Sequence, residues 1–291
     1  MSTVVLLLVT GVGLGALYFL VASGLSLIYG LMGVLNFAHG SFLTLGAFAG
    51  WAVARAVGTT SWAGFALALL AGAIVGALVA ALTELLLVRR LYERHIEQVL
   101  VTVGLSLASV ALFEGIWGPD PEFITGPAWL DSTTSLLGAH VPNDRFVVIA
   151  VAAAVLGGIV LFLRRTRYGL IIRAGVENRA MVTALGIDVR KAFTVVFAVG
   201  GAAAGLGGVL ASQYFGYVSP HLGGSLLIFA FIVTVIGGLG SLAGAAVASV
   251  VVAVLQQVAN YYWGYGDLVV VLLLAVVLLV RPSGLMGRSA R

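Results

Sequence analysis

From Ala192 to Gly266 the chain reads AFTVVFAVGGAAAGLGGVLASQYFGYVSPHLGGSLLIFAFIVTVIGGLGSLAGAAVASVVVAVLQQVANYYWGYG, without one Asp, Glu, Lys or Arg. A membrane-spanning helix needs about 20 predominantly apolar residues to cross about 30 Å of hydrocarbon. This run therefore holds about three spans. Its residues do not alternate between apolar and polar, as the roughly 10-residue strands of a membrane barrel would. A second charge-free run, from Ser2 to Ala54, holds about two more. The fold class is all-α, a polytopic transmembrane helical bundle.

Outward from these runs, further spans are predicted at 62–83, 98–117 and 146–163. The long run resolves into 192–213, about 224–240 and 243–261, followed by 266–280 running into Arg281. The count is nine, within a range of eight to ten, in one transmembrane domain covering 1–291. An external loop is expected over about 118–145 and a cytoplasmic loop over about 164–191. Composition agrees: 61% of the 291 residues are hydrophobic and 9% charged, against about 25% charged in a soluble domain. The start, Met1-Ser2-Thr3-Val4, lacks the basic region of a secretory signal, so the first run is expected to stay as a span.

Basic residues set the orientation, because Lys and Arg accumulate in cytoplasmic loops. Thirteen of the 15 fall in three groups: Arg89, Arg90 and Arg94; then Arg164, Arg165, Arg167, Arg173, Arg179, Arg190 and Lys191; then Arg281, Arg288 and Arg291. The span count puts all three groups on the cytoplasmic side, with the N-terminus and Arg55 outside. The loop 118–145 carries Asp120, Glu122, Asp131 and Asp144 against Arg145 alone. The pI of about 9.6 is thus a topology signal, and nucleic acid is not an expected partner; the lipid bilayer is. Glycines four apart, Gly11/Gly15, Gly46/Gly50, Gly72/Gly76 and Gly201/Gly205, predict close helix contacts, since small residues let backbones approach in lipid. Gly40-Ser41-Phe42-Leu43-Thr44-Leu45-Gly46-Ala47 is faintly echoed by Gly240-Ser241-Leu242-Ala243-Gly244-Ala245.

Enzymatic motifs are missing. A phosphate-binding loop needs Gly-x-x-x-x-Gly-Lys-Ser/Thr, and the only lysine, Lys191, stands between Arg190 and Ala192. There is no Gly-x-Ser-x-Gly elbow, no cysteine, and no pair of histidines at metal-ligand spacing. Catalytic residues and metal ligands are therefore not expected. Ion-coupled carriers place carboxylates or arginines at mid-membrane; here Glu84 and Glu114 fall near span ends and read as interfacial carboxylates.

Two segments carry information. Residues 24–50 are apolar but broken by Gly30, Gly33, Asn36, His39 and Gly40. Polar groups at membrane depth are tolerated where protein or a water-filled cavity satisfies them. The break therefore either turns at the cytoplasmic surface, as the span count favours, or lines a pathway. In the loop 164–191, Val176, Ala180, Ala184 and Ile187 recur at helical spacing while Glu177, Asn178 and Arg179 point elsewhere. Gly186 is placed to end this helix in a left-handed C-cap. Such a helix either lies on lipid headgroups or docks into a groove on a cytosolic partner.

The stretch Gly24 to Gly50, with Asn36-Phe37-Ala38-His39-Gly40 at its centre, resembles the N-terminal signature of ATP-binding-cassette (ABC) importer permeases for branched-chain amino acids. The likeness is to the smaller of their two permease subunits. Arg173-Ala174 to Leu185-Gly186-Ile187-Asp188 resembles that family's coupling segment, and Val280-Arg281-Pro282-Ser283-Gly284-Leu285-Met286-Gly287 its C-terminus. The resemblance implies a type II-like importer permease in a bacterial cytoplasmic (inner) membrane. Its partners would be a second permease subunit, two cytosolic ATPase subunits and an external solute-binding protein. ATP would be used by those partners and no cofactor bound by this chain. Coupling would fall on Arg173, Val176, Glu177, Asn178, Arg179, Ala180, Ala184, Leu185 and Gly186, and a pathway or gate on Asn36, Phe37, His39 and Ser41. The general pattern Glu-Ala-Ala-x-x-x-Gly is departed from: six residues before Gly186 stand Ala180, Met181 and Val182, and only the Ala184-Leu185-Gly186 end fits. Permeases for urea or short amides, and a stand-alone carrier or channel, are the alternative readings.

Overall fold

The computed structural model describes residues 2–33, 35–92 and 94–286, and of residues 176–180 the backbone alone. Ten α-helices follow in order: α1 (Ser2–Met32), α2 (His39–Val57), α3 (Trp62–Leu86), α4 (His95–Trp117), α5 (Asp144–Arg165), α6 (Arg167–Ala184), α7 (Val189–Phe215), α8 (Leu222–Gly237), α9 (Leu242–Trp263) and α10 (Gly266–Val280). Seven are long and apolar enough to cross a membrane. The other two apolar helices are α8, with 16 residues, and α10, with 15. At 1.5 Å per residue these rise only about 24 and 22 Å. The nine apolar helices match the nine predicted spans, and α6 is the helix of the basic loop.

Side-chain caps fix several boundaries. Ser61, Thr166, Asp188 and Ser241 accept the backbone N–H of Gly64, Gly169, Arg190 and Gly244, and so open α3, α6, α7 and α9. Each satisfies one of the free donors at a helix start. The loop between α4 and α5 is tied down by short strands. β1 (Glu122–Phe123) pairs antiparallel with β4 (Tyr217–Val218), which follows α7. β2 (Thr133–Leu136) and β3 (Ala139–Pro142) form a hairpin around Leu137 and Gly138. Thr59, just after α2, bonds the carbonyl of Thr125, and Trp62 packs on Trp129 with centroids 6.0 Å apart. The end of α2 that carries Arg55 therefore stands with the acidic loop, as the span count predicts.

The centre of the bundle is α1, α2 and α7. The most apolar windows of α1 and α7 are each 67% buried, against 11% in α4 and 17% in α5, which form the periphery. Glycine explains the close approach. A β-carbon at Gly72 would lie 2.9 Å from the Gly205 carbonyl oxygen, and one at Gly76 would lie 2.9 Å from Gly205 Cα. Gly46 faces the same Gly205 backbone, so α2, α3 and α7 converge on one point. On the other side, Gly11 and Gly15 of α1 would each meet α9 backbone at 2.8 Å, at Val254 and Ser249. All four predicted glycine pairs therefore lie at helix crossings, where backbone proximity and dispersion hold helices together in lipid. The echo of Gly40-Ser41 in Gly240-Ser241 has a modest counterpart: both pairs stand at helix starts, those of α2 and α9.

Candidate functional site

The helix of the basic loop starts nine residues earlier than its apolar spacing predicts, at Arg167 rather than near Val176. Its buried face is Gly169, Ile172, Gly175 and Val182, spaced three, three and seven residues apart along one helical stripe. Gly175 packs on Leu31, in the last turn of α1. The end of α6 is a Schellman motif: Ile187 N–H donates to the Val182 carbonyl at 3.3 Å and Gly186 N–H to that of Thr183 at 3.0 Å. Gly186 has φ +76°, the left-handed geometry expected of it. Beyond Val182 the segment is exposed: Ala184, Leu185, Gly186, Ile187 and Asp188 all face outward. Met181 and Leu185 are 61% and 69% exposed, an apolar tip surrounded by Arg190 and Lys191. Arg173 is exposed further back along the helix. The side chains of Val176, Glu177, Asn178, Arg179 and Ala180 lie outside the described residues.

The break in the first charge-free run is a turn between α1 and α2 that re-enters the bundle. His39, the first residue of α2, lies against Gly24: a β-carbon there would be 2.6 Å from His39 Cε1. Gly24 stands eight residues before the end of α1, about 12 Å back along its axis. Helix α2 thus begins inside the bundle, although the turn itself follows directly on the end of α1 beside the helix of the basic loop. The physical reason is Gly24, whose missing side chain leaves room both for the imidazole and for the close approach of the Gly200 backbone of α7. His39 is fully buried and stacks edge-on against Phe42 at 5.6 Å. The Val21 backbone lies beside the ring, but neither nitrogen closes a hydrogen bond of good geometry among the described residues.

Asn36 builds the turn. Its Oδ1 accepts the Ala38 N–H at 3.1 Å and its carbonyl accepts the His39 N–H at 3.2 Å. Its Nδ2 and the Oε1 of Gln98 in α4 have no partner among the described residues, and both residues line a cavity of about 10 Å³ with Thr102 and Phe197. Ser41 is buried one turn into α2. Phe37 is half-buried and stacks on Phe231 of α8 at 6.4 Å. The four residues of the predicted pathway or gate are therefore together in space. Asn36, His39 and Ser41 are packed inside this chain, and Phe37 is the one nearer its surface.

Three polar contacts escaped the sequence reading. Thr44 Oγ1 of α2 accepts the Gly223 N–H of α8 at 2.9 Å, so the first turns of two oppositely directed helices are joined inside the bundle. Glu84 is completely buried at the inner end of α3. It accepts Arg89 Nε at 3.2 Å and Thr194 Oγ1 of α7 at 2.7 Å, and it also bonds Tyr92. Burial raises the Tyr92 hydroxyl pKa above the usual phenol range, helped by the carboxylate beside it, so this donor stays protonated. Glu114 of α4 meets His221 Nε2, before α8, at 3.0 Å on a partly exposed surface. Among the described residues no cluster of His, Cys, Asp or Glu could hold a metal ion.

A bundle of nine apolar helices, crossed at glycines and carrying an exposed, glycine-ended helix on its basic face, defines a multi-pass membrane permease. The family described as branched-chain amino acid transport system / permease component matches residues 7–281, and the chain belongs to that family. It is similar to the high-affinity branched-chain amino acid transport system permease protein LivH of Salmonella typhimurium, with 29% identity over 96% of this chain and 94% of that protein. Similar too is the corresponding permease protein BraD of Pseudomonas aeruginosa, at 27% over 97% and 95%. A more distant likeness is to the LivM permease protein of Salmonella typhimurium, at 25% over 93% of this chain and 68% of that protein. No solved structure matches the chain.

Proposed function

We propose that this chain is the translocating permease subunit of an ATP-driven importer of branched-chain amino acids in a bacterial cytoplasmic membrane. It pairs with a second permease subunit, receives substrate from an external solute-binding protein, and is driven by two cytosolic ATPase subunits. The ATP is bound and hydrolysed by those subunits, not by this chain. The observation that carries this reading is α6. Its inner face rests on Leu31 of α1 through Gly175, and its far end presents Met181, Leu185 and Ile187 to solvent on the basic side of the bundle.

A water-exposed apolar tip fits a groove on a cytosolic partner. Movement of that tip reaches α1 where α1 ends, two residues before the turn that holds Asn36, Phe37 and His39. The route from ATPase to membrane interior is then α6, Leu31, the α1–α2 turn and the α2 start locked to α8 through Thr44. The similarity to permeases named for branched-chain amino acids supports the substrate class, and the weaker likeness to LivM supports a second, related permease as partner.

The test is uptake of labelled leucine into vesicles containing the chain together with the proteins that co-purify with it in mild detergent. The expected result is uptake that needs ATP inside and the binding protein outside. Uptake by the chain alone, driven by an ion gradient, would contradict the importer reading in favour of a carrier.

A further inference from the structure

On the basic side of the bundle a cleft of about 810 Å³ opens between α1, the α5–α6 corner and the α8–α9 turn with the end of α10. That volume lies within the 300–1,000 Å³ typical of small-molecule sites. Its walls are apolar, with Leu163 from α5 and Leu278 from α10. They continue into exposed apolar surface: Leu161 is 59% exposed, Leu279 85% and Val280 80%. Polar groups come from Tyr29, Ser241, Ser283 and Arg173, and among the described residues no carboxylate lines the cleft. Deeper, Ser26 is buried with a hydroxyl that has no hydrogen-bond partner among the described residues.

Apolar walls that open onto exposed apolar surface, a single guanidinium and several hydroxyls suit one kind of occupant. We propose that the cleft binds an anionic phospholipid of the cytoplasmic leaflet. Its phosphate meets Arg173 and the surrounding hydroxyls, and its acyl chains run between Leu163 and Leu278. Basic pockets between membrane helices on the cytoplasmic side hold anionic headgroups by this chemistry. Arg164, Arg165 and Arg281 nearby raise the local concentration of such lipids. The bound lipid fills the gap beside α6 and stiffens the seat of that helix against α1.

The experiment is native mass spectrometry of the full chain in mild detergent, delipidated and titrated separately with phosphatidylglycerol, phosphatidylcholine and inorganic phosphate. One phosphatidylglycerol is expected to bind more tightly than phosphatidylcholine. Arg173→Gln should weaken it about fivefold, the effect of one basic residue near the membrane surface, whereas Arg190→Gln, away from the cleft, should not. Leu278→Trp, in the path of the acyl chains, should weaken lipid binding with Arg173 intact. Equal affinity for both lipids would overturn the proposal, as would equal effects of the two arginine changes. So would an affinity unchanged by Leu278→Trp, or displacement of the lipid by millimolar phosphate.

Discussion

Gly175 of α6 sits so close to Leu31 of α1 that a β-carbon at 175 would lie 2.9 Å from Leu31 Cδ1. The contact joins the exposed helix of the basic loop to the last turn before Asn36. The contacted atom is the end of a flexible side chain, so Gly175→Ala should be tolerated, the more so because alanine favours a helix over glycine by about 1 kcal/mol. Gly175→Leu should not, since overpacking costs about 1–3 kcal/mol and lifts α6 off α1. We expect normal membrane insertion and normal ATP hydrolysis by the assembled transporter, but uptake reduced about tenfold or more, the equivalent of 1.4 kcal/mol. Measuring hydrolysis and uptake on one preparation checks this; parallel loss of both would place Gly175 in folding alone.

Gly186 tests the other end of α6. Valine at φ +76° meets backbone strain of about 1–3 kcal/mol, although open space surrounds the site. Gly186→Val should therefore disrupt the Schellman end and abolish ATP-driven uptake without preventing insertion, whereas Gly186→Asn should keep most activity. Unchanged uptake in the valine variant would remove the loop from the mechanism.

Glu84 tests the inner end of α3. Removing one partner of a buried ion pair costs about 3–5 kcal/mol, but Arg89 is 34% exposed, which screens part of that. Arg89→Ala should lower the thermal unfolding midpoint in detergent clearly, and Glu84→Gln less, because Thr194 Oγ1 and the Tyr92 hydroxyl keep an acceptor. A larger loss for Glu84→Gln than for Arg89→Ala would contradict this ranking and show that the carboxylate's charge, more than its acceptor atoms, holds the cluster.

The His39 wedge predicts a double-variant result. Gly24→Ala should destabilise, because the new methyl would meet His39 and, at 2.8 Å, the Gly200 carbonyl oxygen. Adding His39→Ala should restore part of the stability and not all of it, since the Gly200 contact remains. Purely additive losses in thermal unfolding would contradict the packing described here.

What was legible in the sequence was whatever is local or periodic. Charge-free runs located the spans, glycines four apart marked the helix crossings, and Gly186 ended α6 as its position predicts. The start of α6 was not legible, because Gly169 and Gly175 dilute the helical signal of 167–175 and only contact with Leu31 explains the second glycine. The depth of His39 was also hidden: counting residues cannot reveal that Gly24, fifteen positions earlier, leaves the room its imidazole occupies. Thr44 with Gly223, and Glu84 with Thr194, pair residues 179 and 110 positions apart. No pattern along the chain announces such pairs.

The most direct test of the account is photo-crosslinking from position 185, at the exposed end of α6, in native membranes. The chain has no cysteine, so Leu185→Cys can carry a thiol-linked photoprobe at one site, with Leu107→Cys on the lipid-facing side of α4 as control. The account predicts a covalent adduct with an ATPase containing a phosphate-binding loop from position 185 and none from 107. Adducts with lipid alone at position 185, in membranes that actively take up leucine through this chain, would contradict it.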